Sequence, residues 1–329
     1  MSEHRFSKQH EILLDGDDVP SFVYICASDS INIGASSTSD RKIYIFDLKE
    51  AKTINSFHAH TADITGIAMN EQSYILASCC SDGDNGQGNE FSLWDLRGYK
   101  KITTFYPDTY FQDIELCESL AISKDGCIFA VGTNEGVLTW DVRKPEAIFK
   151  HVNIQPDTIA SLQFHPFAHS TILSGDDSGN ILLYDLDASN TEDSILFYSN
   201  DDNPVFQCGF CGVDKVFTLR RTAGMRIWNI MDPTQDVVFD DTRNYLEKPF
   251  VYPIDVHWCG EWIMLTGGDS EGGVTISLCS EVGVQLFAQI PNAHKDCINA
   301  SHVNLSNDGK ISLYLAGDKG QLSYWEVQQ

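Results

Sequence analysis

The sequence predicts an all-β chain built as a seven-bladed β-propeller, with four antiparallel strands per blade. Three observations carry that prediction. A phrase of strand-forming residues ending in an aromatic and an acid recurs seven times, its copies are evenly spaced, and a strand-like segment near the N-terminus matches a strand missing from the last repeat.

The phrase reads Ile43-Tyr44-Ile45-Phe46-Asp47, Phe91-Ser92-Leu93-Trp94-Asp95, Val137-Leu138-Thr139-Trp140-Asp141 and Ile181-Leu182-Leu183-Tyr184-Asp185. Weaker copies follow at 225–229, 274–279 and 322–326, the sixth being the most eroded. The acid or its substitute falls at 47, 95, 141, 185, 229, 279 and 326, so the steps run from 44 to 50 residues. A four-stranded blade occupies about 40–50 residues. Between the phrases lie further short runs rich in β-branched and aromatic residues, bounded by Gly, Asp, Asn or Ser. Strands are expected at 21–27, 31–35, 42–47 and 53–57, then at 64–69, 74–80, 91–95 and 101–105. No stretch shows sustained helical periodicity. A single domain over 1–329 therefore replaces the two domains that length alone would suggest.

Turn chemistry falls where strand one of a blade must reverse into strand two. Ser123-Lys124-Asp125-Gly126, Ser306-Asn307-Asp308-Gly309 and Phe164-His165-Pro166 supply the side-chain acceptors and positive φ that tight turns need. The seventh repeat has no fourth strand after its phrase. The segment Glu11-Ile12-Leu13-Leu14 is expected to pair there, which would leave no open sheet edge.

Composition narrows the function. No apolar run approaches the roughly 18 residues of a membrane span. The charged start, Met1-Ser2-Glu3-His4-Arg5, lacks a following apolar stretch, so no secretory leader is expected. The ten cysteines then read as reduced core thiols, and cytoplasm and/or nucleus as the location. A net charge of −25 repels phosphate backbones, which argues against direct nucleic-acid binding and favours basic proteins or peptides as partners. A monomer, or one subunit of a hetero-complex, is expected.

The repeated phrase resembles the WD40-repeat family over nearly the whole chain, with full signatures at Trp94-Asp95 and Trp140-Asp141. The family's Gly-His dipeptide is altered here to Ala59-His60 and Ala293-His294. The resemblance implies a blade network running from His through Ser/Thr and a turn Asp to the Trp. His60, Ser78 and Trp94 match three of its positions in blade two, and the acid is open between Asp82 and Asp84. In blade seven Lys319 stands where the acid is expected, which predicts a broken network. These residues read as structural, not catalytic. Within the family the texture is most like the small single-propeller group of WD repeat-containing protein eighty-nine, through Phe164-His165-Pro166, Leu173-Ser174-Gly175 and Leu265-Thr266-Gly267-Gly268.

Catalytic and metal motifs fail one by one. Cys208-Gly209-Phe210-Cys211 has no second ligand pair for zinc and no helix to open for redox work. The Gly-rich run at 83–88 lacks the Lys of a phosphate loop and the bidentate Glu of a calcium loop. No Gly-x-Ser-x-Gly elbow occurs. The sequence reads as a non-enzyme with no cofactor and no metal.

Binding residues on a rigid scaffold concentrate in long loops. The longest, at 82–90, 107–118, 240–253 and 268–273, are all connections from strand two to three or from one blade to the next, and these leave one face of a propeller. Partner contacts are therefore expected from Tyr110, Phe111, Arg220, Arg221, Arg243, Tyr245 and Tyr252, with Asp176 and Asp177 meeting basic groups. An alternative rests on Trp94-Asp95-Leu96-Arg97 and Trp140-Asp141-Val142-Arg143. In neighbouring repeats that phrase resembles the adaptor-binding signature of cullin-type ubiquitin-ligase substrate receptors, which implies roles for Asp95, Arg97, Asp141 and Arg143.

Overall fold

The computed structural model describes residues 4–16, 18–81, 89–106, 117–143, 147–152, 155, 157–188, 191–306 and 309–327, with backbone only at 147–152 and 191–192. The first strand is β1 (Phe6–Leu13). Blade one follows as β2 (Phe22–Ser28), β3 (Ile33–Thr38), β4 (Lys42–Asp47) and β5 (Lys52–His58). Blade two is β6 (Ile64–Asn70), β7 (Ile75–Cys80), β8 (Glu90–Asp95) and β9 (Lys100–Phe105). Blade three is β10 (Cys117–Ile122), β11 (Ile128–Thr133), β12 (Gly136–Asp141) and β13 (Ala147–Val152). Blade four is β14 (Ile159–Phe164), β15 (Thr171–Asp176), β16 (Asn180–Asp185) and β17 (Ile195–Asn200). Blade five is β18 (Gln207–Phe210), β19 (Lys215–Leu219), β20 (Met225–Asn229) and β21 (Val237–Phe239). Blade six is β22 (Tyr252–Cys259), β23 (Trp262–Gly268), β24 (Val274–Ser280) and β25 (Gly283–Ile290). Blade seven is β26 (Ile298–Leu305), β27 (Ile311–Gly317) and β28 (Gln321–Val327), with β1 as its outer strand.

Seven four-stranded sheets thus form among the described residues, and the fold class is the predicted seven-bladed β-propeller. The chain packs as two compact units. Met1–His58, Thr222–Met225 and Phe239–Gln329 hold blades one, six and seven. Ala59–Arg221 and Arg226–Val238 hold blades two to four and most of blade five. No helix of the described residues is long and apolar enough to cross a membrane.

Where the phrase carries its aromatic, at Phe46, Trp94, Trp140, Tyr184, Trp228 and Trp325, that ring is buried, because the alternation of a strand turns every second side chain to the same face. Trp140 stacks on Phe129 at 5.2 Å and packs with Phe91 and Phe105, joining blades two and three through a shared apolar cluster. In the other unit, Trp325 joins Met264, Ile276 and Leu313 between blades six and seven. The predicted Ser-Lys-Asp-Gly turn forms as expected. Ser123 O accepts from Gly126 N at 2.8 Å, Gly126 takes φ +68°, and Asp125 Oδ1 accepts from Ser123 Oγ and Cys127 N.

The closing strand is present but starts earlier than predicted. β1 pairs antiparallel with β28 from Phe6↔Val327 to Leu13↔Gln321, slipping at Lys8/His10, and Leu14 lies just beyond it. The run Phe6-Ser7-Lys8-Gln9-His10 has no apolar alternation, so pattern reading misses it. Phe6 is held edge-on to Phe287 at 6.2 Å, and backbone pairing supplies the rest.

Candidate functional site

Blade two builds a buried polar latch. Ser78 is the fourth residue of β7 and pairs with Ser92, two residues before Trp94 on the same face of β8. Trp94 Nε1 donates to Ser78 Oγ at 2.9 Å, and His60 Nε2 stands 2.7 Å from that same oxygen. His60 Nδ1 lies 3.0 Å from Glu90 Oε2. His60, Ser78 and Trp94 therefore meet as the sequence implied. Among the described residues the acid against His60 is Glu90, the first residue of β8; Asp82 and Asp84 lie outside the described residues. The hydrogen bond from His60 holds the Glu90 carboxyl below its ordinary range.

A signal for Glu90 was in the sequence. It sits four positions before Trp94, and residues i and i+4 of a strand share a face. The same offset finds Gln321 before Trp325 and Asn180 before Tyr184.

Other blades keep the latch with different chemistry. In blade five, Trp228 Nε1 donates to Thr218 Oγ1 at 3.1 Å, and Thr218 Oγ1 to Asp201 Oδ2 at 3.3 Å. Asp201 replaces the histidine, and Arg220 pairs with it through Nε and Nη2, both at 2.9 Å. In blade four, Gln155 Oε1 accepts from Ser174 Oγ at 2.6 Å and from the Tyr184 hydroxyl at 3.1 Å. In blade seven the expectation that Lys319 breaks the network is corrected. His294 Nε2 lies 2.8 Å from Ser323 Oγ, which also accepts from Trp325 Nε1 at 2.8 Å. Leu315 takes the strand-two position, and the hydroxyl comes instead from its cross-strand partner Ser323. Among the described residues, no acid is hydrogen-bonded to the histidine there. Lys319 pairs outward with Asp296 at 2.7 Å, His294 Nδ1 has no hydrogen-bond partner among the described residues, and burial pushes His294 down to about 4.

The predicted contact residues divide into committed and available side chains. Tyr110 and Phe111 lie outside the described residues. Arg220 is corrected from contact residue to structural residue, since its side chain is 13 % exposed and bound to a fully buried Asp201. Asp176 is likewise buried and accepts from Ser178 N, Asn180 N and Asn180 Nδ2, so it caps its own turn. Tyr252 is committed as well: its hydroxyl donates to Ile298 O at 3.2 Å and accepts from Ile298 N at 3.0 Å. Arg243 binds Asp241 at 2.8 Å and donates to the carbonyls of Thr222 and Val251, tying its loop down.

Tyr245, Arg221 and Asp177 remain exposed. Tyr245 leans edge-on against Phe239 at 5.5 Å. The Arg221 guanidinium stands 4.7 Å from the Phe206 ring. Half-buried Glu118, which the sequence reading missed, is pushed up by burial and by the charge of Asp177, against the pull of Arg221. Burial and Asp157 raise Asp177 in the same way, again opposed by Arg221.

The turns after the third strands of blades two and three are alike. Asp95 Oδ1 accepts from Arg97 N and Arg97 Nε, and Asp141 Oδ1 from Arg143 N and Arg143 Nε. Each arginine thus folds onto the acid of its own phrase, yet the two side chains stay 67 % and 71 % exposed.

The model of the nucleolar protein 10-like N-terminal domain family matches residues 22–195, more than half of the chain. The chain belongs to that family. It is also 22 % identical over 304 residues to the WD repeat-containing protein 89 homolog of Dictyostelium discoideum, a match covering 89 % of this chain and 80 % of the relative. A WD repeat-containing protein of Schizosaccharomyces pombe is 32 % identical over 142 residues, 41 % of this chain and 39 % of its own. The methylosome protein WDR77 of Xenopus laevis is 30 % identical over 114 residues, a third of each chain. Propellers of this kind are typically non-catalytic and serve as protein-interaction scaffolds, the class to which fold and relatives assign this chain.

Proposed function

We propose that the scaffold binds a basic segment of a partner protein at the ends of blades three to five, through Glu118, Asp157 and Asp177. The observation that carries this reading is the arrangement around Arg221. Two carboxylates, Glu118 of β10 and Asp177 in the turn after β15, share one cation of the chain, and Asp157, in the connection into β14, adds a third negative charge beside Asp177. Like charges held partly out of water raise each other's proton affinity, and a second cation relieves that repulsion. Phe206, already faced by Arg221, offers the π surface that guanidinium groups favour. A Lys/Arg-rich peptide labelled for anisotropy should bind wild-type protein with a strong salt dependence. Glu118→Gln combined with Asp177→Asn should weaken it about tenfold or more. Equal affinity in wild type and variant would sink the reading.

The paired Asp-x-Arg turns favour a second reading, docking of a ubiquitin-ligase adaptor. Two like turns on adjacent blades present exposed guanidinium groups. Arg97→Ala with Arg143→Ala should then abolish adaptor co-precipitation while peptide binding persists, and retained adaptor would exclude it.

A further inference from the structure

Blade two sets a third donor, Cys80, beside two members of its latch. His60 Nδ1, Cys80 Sγ and a Glu90 carboxylate oxygen all lie within 4.8 Å of one another. His60 and Cys80 are buried, and the Glu90 side chain is 18 % exposed, which gives the cluster one edge toward solvent. Blade seven provides an internal comparison. Its latch, His294, Ser323 and Trp325, forms with Gly317 where blade two has Cys80 and Gln321 where it has Glu90. Histidine, hydroxyl and indole therefore meet without a thiol or a carboxylate at those two positions.

We propose that His60 Nδ1, Cys80 Sγ and Glu90 form a site for a divalent transition-metal ion, with Zn²⁺ as the best match. One nitrogen, one sulfur and one carboxylate oxygen suit a borderline ion rather than Mg²⁺ or Ca²⁺, which take oxygen donors. Donors around tetrahedral Zn²⁺ stand roughly 3.5 Å apart, within reach of small side-chain adjustments here, and three protein ligands leave the fourth position to water. The second shell is in place. His60 Nε2 faces Ser78 Oγ at 2.7 Å, and that oxygen is oriented by Trp94 Nε1, so Ser78 fixes the ring as metal-bound histidines require. Tyr106, whose hydroxyl donates to Glu90 Oε1 at 3.3 Å, orients the carboxylate. Binding releases the Cys80 thiol proton, while the His60 proton moves to Nε2 and is donated to Ser78 Oγ, which accepts from Trp94 as well.

The test uses the full chain, stripped with chelator and titrated with Co²⁺ and then Zn²⁺. One equivalent of Co²⁺ should produce a thiolate-to-cobalt charge-transfer band that Zn²⁺ displaces. Cys80→Ser should abolish the band, Glu90→Gln should weaken binding more than about tenfold, and His294→Gln should leave both unchanged. No band in wild type, or a band surviving in Cys80→Ser, overturns the site. If Cys80→Ser does not fold, Glu90→Gln, patterned on Gln321, decides alone, and undiminished affinity in that variant overturns it.

Discussion

Blades two and five solve one problem with different side chains. Each must anchor the indole N–H of its phrase, Trp94 or Trp228, where water does not reach. Both use a hydroxyl on the second strand, Ser78 or Thr218. Behind that hydroxyl, blade two places His60 and the carboxylate Glu90, whereas blade five places the carboxylate Asp201 and the cation Arg220. The position therefore selects no particular residue. In these two blades it selects a group that bonds the hydroxyl and a second group that satisfies the first, because a buried polar atom without a partner is costly.

The two solutions should fail differently. The largest effect is expected in blade five, where Arg220→Ala leaves a fully buried carboxylate uncompensated and should cost about 3–5 kcal/mol in urea unfolding. Replacing the pair together, Asp201→Leu with Arg220→Met, should cost less than the single change. A single-variant loss below about 1 kcal/mol would show that the pair is not buried as described.

The histidine latch of blade seven should instead respond to acid. His294 titrates near 4 in the fold and near 6.5 when unfolded. Its stabilising contribution is complete above 6.5 and is lost as pH falls toward 4, because the unfolded chain takes up the proton first. The loss should be on the order of 3 kcal/mol, read as a falling urea midpoint between pH 7 and 4.5. His294→Gln should flatten that profile, and an unchanged slope in the variant would contradict it.

The smallest effect should come from Trp94→Phe. It removes one hydrogen bond to Ser78 and should cost about 1 kcal/mol for the bond, beyond any packing loss. Trp228→Phe should match it within a few tenths of a kcal/mol, since both indoles bond a single hydroxyl.

Much of this was readable before the structure. The strand Lys42–Asp47 falls where predicted, and the other predicted strands of blades one and two fall within a few residues at their ends. Tight turns and alternating apolar residues are local signals, so they survive without tertiary information. His60, Ser78 and Trp94 were recognisable for a related reason: they repeat at fixed offsets from the phrase. Glu90, Gln155 and Asp201 were not recognised, since each fills its position with an unexpected residue type, and Ser323 was not because its hydroxyl comes from the third strand instead of the second. The predicted contact set fared worst. Arg220, Asp176 and Tyr252 look exposed by residue type and loop membership, but each is held inward by partners that strand pairing brings near.

By itself the sequence determined the blade count, the period and the side of each strand that faces the core, because these follow from spacing and alternation along the chain. Tertiary structure decided which polar side chains are latched and which face solvent. That choice depends on distances between residues far apart in sequence, such as His60 and Glu90 or Asp201 and Arg220, and on how far each is removed from water.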